Sequence, residues 1–323
     1  LGITLSGNTA EEACFPDPED GRNLCSGASG AAIFNEGTLH LEGAEVTGNE
    51  GREAIYNRFG GATIVRSTIS RNTGAGIRGN RSNPSLEIID SVISANGGNG
   101  ISASFGTVGV FDSTVSKNQA GGISVNLVAL RVSNTTISDN TAHWGALGGG
   151  LRGSGNISAR AIVTNSTISG NFAGHGGGVA LSNLTIVNST VSGNIAAYRG
   201  SAFFFYDMPE IINTVVDGDC AGNDAWFFGH DVRRNIESPG DTCGFAHAAN
   251  QVNIGADELK LGPLRDNGGP TQTHTLGEGS VAIDVIPEED CLDADGGPLA
   301  TDQRGESRGS GTMCDVGAFE VLP

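Results

Sequence analysis

Apolar and polar positions alternate along this chain in many short stretches. Leu86 and Ile88 flank Glu87, and Leu130 and Val132 flank Arg131 in the same way. Strict alternation puts one set of side chains on one face of a β-strand, and these stretches are shorter than the roughly ten residues of a stable helix. The pattern therefore predicts many short strands and disfavours a helical solenoid.

A six-residue motif that ends in Asn recurs through the first two thirds of the chain. Its first copy, ITLSGN, ends at Asn8, and a Gly-rich turn with a short apolar stretch follows most later copies. A repeat of roughly 22 residues with two or three β-branched strands is typical of a parallel β-helix, whose rungs stack about 4.8 Å apart. The later copies end at Asn49, Asn72, Asn96, Asn118, Asn140, Asn171 and Asn194, with a degenerate last copy at Asp219.

Stacking these copies places like residues in columns. The Asn column predicts an amide ladder at a turn, because stacked amides hydrogen-bond between rungs and Asn tolerates the left-handed conformation of a sharp corner. A second column, two residues earlier, is interpreted as structural. Its members are Ser70, Ser94, Ser116, Ser138, Ser169 and Ser192.

Composition and charge narrow the class of protein. Of 323 residues, 37% are hydrophobic and 6% aromatic, which suits a narrow core better than a large globular one. The net charge of −18 disfavours nucleic acid and anionic membranes as partners, because phosphate binding needs clustered Lys and Arg. The sequence shows no signal peptide and no apolar run of about 18 residues that would cross a membrane. Since residues 3–8 already resemble the end of a repeat, we expect a processed or truncated chain.

The six cysteines fall into three pairs that are close in sequence, without CxxC or zinc-ligand spacing. This arrangement predicts three disulfides and an oxidising compartment, so we expect a secreted or cell-surface protein. The predicted pairs are Cys14 with Cys25, Cys220 with Cys243, and Cys291 with Cys314.

The C-terminal third loses the period and carries motifs of its own. They are LGPLRDNGGPTQTHTLGEGSVAID (261–284), TDQRG (301–305) and CDVGAFE (314–320), preceded by DCAGND and DTCGF. In these motifs the chain resembles bacterial β-helix surface proteins with a choice-of-anchor Q module. The resemblance implies a right-handed, pectate-lyase-like β-helix on a secreted or surface-displayed protein, and it leaves the activity open.

We therefore expect an all-β fold, with a single-stranded parallel β-helix over residues 1–219 and a loop-rich, disulfide-stapled cap over 220–323. A cap protects the unpaired backbone at the open end of a β-helix from end-to-end association. The aromatic run 203–206 is interpreted as core or cover at the transition between the two parts. A buried polar network is expected to hold the cap, formed by Asp266, His274, Asp302, Arg304, Asp315 and Glu320.

One column of ring-bearing residues is the strongest candidate binding site. Four residues beyond the ladder Asn, the glycines of early rungs are replaced by Trp144, His175 and Tyr198. Rings on consecutive rungs suit stacking on a sugar. Arg199 would then meet an acidic sugar, and His143 or His175 would act as a base. The alternative is that these residues merely pack an inserted loop.

Two sets of carboxylates are candidate calcium ligands, since hard cations prefer oxygen. Asp90 and Asp112 lie about one rung apart in a column that also contains Arg66, although Arg–Asp contacts between rungs are ordinary on a protein surface. The second set is the oxygen-rich loop with Asp290, Asp293 and Asp295. Calcium is the one cofactor that the sequence suggests.

Two functions follow from these observations. The first is a rigid surface module for display or adhesion, which binds glycans or protein partners. The second is a polysaccharide lyase or hydrolase that acts on acidic glycans. Repeat regularity, an acidic surface and the lack of a convincing acid and base pair favour the first.

Overall fold

The computed structural model describes residues 3–9, 13–16, 23–26, 30–80, 85–153, 160–207, 209–222, 232–309 and 313–322; for 13–16, 23–26 and 232 it describes the backbone alone. The described chain winds into a parallel β-helix with three sheets, named A, B and C in the order in which each rung visits them. The predicted all-β fold is thus confirmed.

Every strand of the coil pairs in parallel with its counterparts on neighbouring rungs. Sheet A contains Thr4–Ser6, Glu45–Thr47, Thr68–Ser70, Val92–Ser94, Thr114–Ser116, Thr136–Ser138, Thr167–Ser169, Thr190–Ser192, Val215–Asp217 and Ile236–Ser238. Sheet B contains Ile33–Asn35, Glu53–Asn57, Ala75–Asn80, Ile101–Ser104, Ile123–Asn126, Leu151–Gly153, Val179–Ala180, Phe203–Phe205 and Cys220–Gly222. Sheet C contains Leu39–Glu42, Gly61–Val65, Ser85–Ile89, Thr107–Phe111, Ala129–Ser133, Ala161–Thr164, Leu184–Val187, Glu210–Ile212 and Val232–Arg233.

The remaining elements are short. Ala13–Pro16 pairs antiparallel with Asn23–Ser26, Phe172–His175 pairs in parallel with Ile195–Arg199, and Ile286–Pro287 pairs antiparallel with Met313–Cys314. An α-helical turn spans Ala256–Leu259, and a 3₁₀ turn spans Glu288–Asp290.

Branched aliphatic side chains fill the interior of the coil in columns. The central residue of most sheet A strands, such as Ile69, Ile93 and Val115, is fully buried, and Ile77 and Ile88 continue this core in sheets B and C. Each such side chain stabilises the fold by about 1.5–3 kcal/mol relative to an exposed one. The core is narrow because each strand contributes one or two inward positions.

The predicted Asn ladder is present and buried at the corner between sheets A and B. Asn72 Nδ2 donates to Asn96 Oδ1 at 2.9 Å, and Asn96 Nδ2 donates to Asn118 Oδ1 at 3.0 Å. Each Oδ1 also accepts the backbone N–H of the ladder residue on the preceding rung, as Asn118 Oδ1 does from Asn96. The ladder runs from Asn8 to Asn194.

The conformation of this corner differs from the prediction in one respect. The residue before each ladder Asn, such as Arg71, Ala95 or Lys117, has a positive φ, and the ladder Asn does not. The amide must point inward to reach the next rung, so the preceding residue makes the left-handed turn. Asn and Asp take this conformation at the opposite corner, between sheets C and A, where Asp112 and Asn134 have φ near 50°.

A second ladder of hydroxyl groups lines that opposite corner. Ser91 Oγ accepts the backbone N–H of Ser67 at 3.0 Å and donates to the carbonyl of Ile89 at 2.8 Å. Its members are Ser67, Ser91, Ser113, Thr135, Ser166, Ser189 and Thr214. These are the first residues of the repeated motif, whereas the predicted Ser column lies on the outward face of sheet A.

The C-terminal segment closes the end of the coil and then covers its side. Cys243 and Phe245 pack on the end of the core. The Glu237 carboxylate holds this turn by accepting hydrogen bonds from the backbone of Thr242 and Cys243, and burial raises the pKa of Glu237. From residue 262 the segment runs over the outer face of sheet A, where His274 contacts Ser169. The division at residue 219 stays a prediction.

Two of the three predicted disulfides are confirmed. Cys220 and Cys243 are bonded with Cα atoms 4.8 Å apart, and Cys291 and Cys314 with Cα atoms 6.4 Å apart. Cys14 lies directly opposite Cys25 in an antiparallel pair, but these side chains lie outside the described part of the chain, so this pair stays a prediction.

We predict that Asn118→Ala destabilises the protein by about 2–4 kcal/mol, because the buried backbone N–H of Asn96 loses its acceptor and the carbonyl of Ile93 loses a donor. Urea unfolding measures the change. Gln119→Ala is the matched control, since Gln119 is the exposed neighbour of the ladder residue. Equal unfolding midpoints for the two variants would show that the ladder contributes no stability.

Candidate functional site

Three of the predicted ring-bearing residues come together on the surface beside the Asn ladder. The centroid of the Tyr198 ring lies 5.2 Å from that of His175 and 6.5 Å from that of Trp144. Trp144 is 60% exposed and Tyr198 55% exposed. The His143 ring lies 5.2 Å from Trp144. The predicted rings therefore form one continuous surface. Their predicted register is wrong, because His175 pairs with Leu147 and Arg199, and the glycine position of the early rungs is kept at Gly150.

The backbone explains why the rings gather there. In an early rung only 119–121 separate the ladder Asn from the small residue that leads into sheet B, whereas 141–149, 172–177 and 195–201 fill this interval on three later rungs. That small residue is Gly122 on the early rung and Gly150, Gly178 and Ala202 on the later ones. The extra residues form the pair of Phe172–His175 with Ile195–Arg199, and Leu147 bridges to His175. Successive rungs therefore present Trp144, His175 and Tyr198 side by side.

Two aromatic residues beyond the predicted column pack beside the same rings, of which Phe204 is buried and Tyr206 is 38% exposed. The Phe204 ring lies 5.1 Å from His175 and 5.5 Å from Tyr206. Phe203 and Phe205 point inward and stack in the core, as predicted, while Phe204 points outward. The outward direction of Phe204 could be predicted from the alternation of inward and outward residues along the FFFY run (203–206). We call the whole set the aromatic ridge: His143, Trp144, His175, Tyr198, Phe204 and Tyr206. The run Trp226–Phe228 lies outside the described residues.

The predicted base and cation have distinct environments. His175 Nδ1 is buried between rings without a hydrogen-bond partner in the described structure. His143 Nδ1 accepts the backbone N–H of Gly145 at 3.2 Å. Arg199 is exposed and pairs through its backbone with His175. The ridge therefore has exposed rings with an exposed arginine in the paired strand, and among the described residues none hydrogen-bonds His175 Nδ1, the atom that an orienting partner of a base would hold.

The first candidate calcium set lies at the corner between sheets C and A. Asp90 and Asp112 have positive φ on adjacent rungs, and Asp112 Oδ1 accepts a hydrogen bond from Asn134 Nδ2 at 3.0 Å. Arg66 forms an ion pair with Glu42. The predicted arginine thus has a carboxylate partner outside the column.

The second candidate set borders a cleft of about 380 Å³ between the outer face of sheet C and the loop 290–296. Asp290 pairs with Arg234 at 2.6 Å, and Asp295 pairs with Arg131 at 2.9 Å, which lowers the pKa of Asp295.

On the opposite side of the cleft, Thr185 Oγ1 donates to Glu210 Oε2 at 2.7 Å and accepts hydrogen bonds from Arg160.

These carboxylates do not form a ready cation site. Asp290 and Asp295 each have a guanidinium partner, and Asp293 Oδ1 accepts the backbone N–H groups of Asp295 and Gly297. Among the described residues no group of three or more His, Cys, Asp or Glu side chains is arranged to hold a metal ion. Calcium binding stays a prediction.

A buried polar network fixes the C-terminal segment, largely as predicted. Asp302 binds the guanidinium of Arg304 and the backbone N–H of Glu320. Arg304 lies 3.6 Å above the Phe319 ring. Asp315 accepts the backbone N–H groups of Asp284 and Val321. Asp266 is exposed, contrary to the prediction, because its carboxylate makes a local turn with Gly268.

The centre of this network is a residue that the sequence did not single out. Arg308 is buried and donates to Glu320 Oε2 at 3.2 Å, to Asn165 Oδ1 at 2.8 Å and to the carbonyl of Gly317 at 2.6 Å. It therefore links the segment to the corner of the coil. Arg308 lies 143 residues from Asn165 and no repeat relates the two positions, so this contact could not be predicted from the sequence.

Comparisons with known proteins support this architecture. Residues 78–235 match the model of a family described as "Right handed beta helix region". Pectate lyase Pel9A is similar over 88% of this chain and 71% of its own length, with 15% sequence identity and a TM-score of 0.52. XylC in complex with xylose is similar over 88% of this chain and 66% of its own, with 12% identity and a TM-score of 0.49. No curated protein matches the sequence significantly.

At these identities the similarity shows the fold alone. It confirms the predicted right-handed, pectate-lyase-like β-helix. The resemblance of the C-terminal motifs to the choice-of-anchor Q module, and a bacterial origin, stay predictions. In the described parts of the chain no helix is long and apolar enough to span a membrane.

We predict that acid weakens the contact of the C-terminal segment through His274. Its Nδ1 donates to the carbonyl of Gly262, and its Nε2 accepts from Ser169 Oγ. Burial lowers the pKa of His274, against the opposing effects of Gly262 and the charge of Asp217. The unfolded state therefore binds more protons, and stability falls as the pH drops from above the usual histidine pKa towards the folded value.

Thermal unfolding between about pH 7 and pH 5, where histidine titrates, measures this effect. His274→Gln is expected to flatten the slope of the unfolding midpoint against pH. His247→Gln, at an exposed histidine, is the matched control and is expected to retain the parent slope. An unchanged slope in His274→Gln would contradict the assignment.

Proposed function

We propose that this protein is an extracellular β-helix module that binds glycans through the aromatic ridge and displays this site on a rigid coil. The observation that carries the proposal is the exposure of Trp144 and Tyr198 beside each other. Large apolar side chains grouped on a surface mark interaction sites, and flat rings suit the apolar face of a sugar. The disulfides are in keeping with an oxidising location.

The charged neighbours favour an acidic sugar. Arg199 adjoins the ridge and is the type of donor that binds a carboxylate through two parallel hydrogen bonds. The fold shared with a pectate lyase is in keeping with a carbohydrate ligand, although it specifies none. Protein partners at the surface remain the alternative class of ligand.

The enzyme alternative uses the same residues. A lyase or hydrolase acting on acidic glycans would take His175 or His143 as its base and Arg199 as its cation. The burial of His175 Nδ1 among rings favours binding over turnover, because a general base must reach the proton that it removes.

A glycan array, probed with the full chain with and without calcium, tests the proposal. Trp144→Ala and Tyr198→Ala are each expected to weaken binding about tenfold or more, since exposed aromatic anchors contribute about 1.4 kcal/mol or more to such sites. Phe105→Ala is the matched control, because Phe105 is 47% exposed outside the ridge.

The outcomes separate the hypotheses. Loss of binding in the ridge variants alone supports the proposal, whereas equal binding by all variants, or no glycan bound by the parent chain, contradicts it. Polyuronates that bind are then assayed for unsaturated or shortened products. Turnover that disappears in a His175→Ala, Arg199→Ala double variant would establish the enzyme instead. Binding that requires calcium would support the predicted cation site.

A further inference from the structure

The outward positions of sheet B form a single column that leads away from the aromatic ridge. The strand registers place one outward residue of each rung directly beside the next. From the N-terminal end, this column contains Phe34, Tyr56, Arg78, Ser102, Ser124, Arg152, Ala180 and Phe204. We call it the sheet B column.

Both ends of the column carry aromatic rings. Phe204 belongs to the ridge and lies under His175. At the other end, Phe34 is 49% exposed and meets the Tyr56 ring edge-on at 5.5 Å. The Arg78 guanidinium lies 5.7 Å from the centre of the Tyr56 ring. Ala180 and Phe204 are buried, at 0% and 6% exposed, so the accessible part of the column runs from Phe34 to Arg152. The accessible rings at the ridge end are Trp144 and Tyr198.

Arg78 is held in place from below by a buried acid. Its Nη1 lies 3.9 Å from Glu53 Oε2, and Glu53 is buried with Oε1 unpaired in the described structure. A carboxylate with an unpaired oxygen keeps a cation near it, because isolation in the interior is costly. The Glu53 carboxylate therefore favours a position of the Arg78 guanidinium beside the Tyr56 ring.

The middle of the column is polar, and two of its side chains are short serines. Arg152 donates from Nε and Nη2 to Ser124 Oγ at 3.2 and 3.0 Å, and Ser102 and Ser124 are partly exposed. Hydroxyl and guanidinium groups suit the hydroxyls and carboxylates of a sugar chain. The two charged positions of the column are both arginines, on a chain whose net charge is −18.

The length of the column indicates a polymer. With rungs about 4.8 Å apart, the six steps from Tyr56 to Phe204 span roughly 29 Å. That distance exceeds any single sugar ring. An extended chain that lies along the coil axis would contact Phe34 and Tyr56 at one end and the exposed ridge rings of Trp144 and Tyr198 at the other.

We infer that the sheet B column is a track for an extended acidic glycan chain, with the ridge at one end and Phe34, Tyr56 and Arg78 as a second contact at the other. This inference rests on the proposed function, because the ridge supplies the first contact. It adds the length and charge of the ligand and a second site that the ridge does not require.

Oligogalacturonate dimers and octamers, titrated calorimetrically into the full chain, test the track. The parent is expected to bind the octamer at least about tenfold more tightly than the dimer, since a second contact joined to the first acts at a high effective concentration. Tyr56→Ala is expected to remove most of this difference and to leave dimer binding unchanged. Tyr198→Ala is expected to weaken both ligands.

Arg78→Ser is a second variant that introduces the residue type already present at two positions of the column, and it is expected to act like Tyr56→Ala. Phe105→Ala is the control. Equal affinity for dimer and octamer in the parent, or an unchanged ratio in Tyr56→Ala and Arg78→Ser, overturns the track while loss of binding in Tyr198→Ala still supports the ridge. Failure of both ligands to bind a chain that binds neutral glycans on the array overturns the acidic track alone.

Discussion

The amide ladder is the interaction on which the rest of this structure depends. Each buried Asn is both donor and acceptor for its neighbours, so one misplaced rung would leave several buried groups unpaired. This constraint fixes the same corner on every rung from Asn8 to Asn194. The core columns of Ile and Val then follow, because side chains a fixed number of residues from the corner must point inward together.

A corner fixed in this way converts sequence spacing into position on the surface. Residues at equal distances from the ladder Asn stack on one line, and extra residues after the ladder have to bulge outward without disturbing the rung. Three such insertions supply His143, Trp144, His175 and Tyr198 of the aromatic ridge. The sheet B column arises from the opposite situation, in which regular strands align Tyr56, Arg78 and Arg152 without any insertion.

Much of this could be predicted from the sequence, because a repeat makes long-range contacts periodic. The coil and the Asn ladder follow from the period, and the meeting of Trp144, His175 and Tyr198 follows from their similar distance from the ladder. The two described disulfides follow from the closeness of their cysteines in sequence. The path of the C-terminal segment does not, because its contacts, such as Arg308 with Asn165, join residues that no period relates. The left-handed residue before each ladder Asn was missed for a local reason, since the direction of a side chain depends on backbone angles that composition does not specify.

The outer surface offers other places where a sugar would fit, notably the charged cleft beside Thr185 and Glu210. A crystal structure of the full chain with a bound oligogalacturonate separates these sites most directly. We expect sugar rings stacked on Trp144 and Tyr198, with the chain continuing over Arg152 along sheet B. A chain seated in the cleft, with the ridge uncovered, would contradict it.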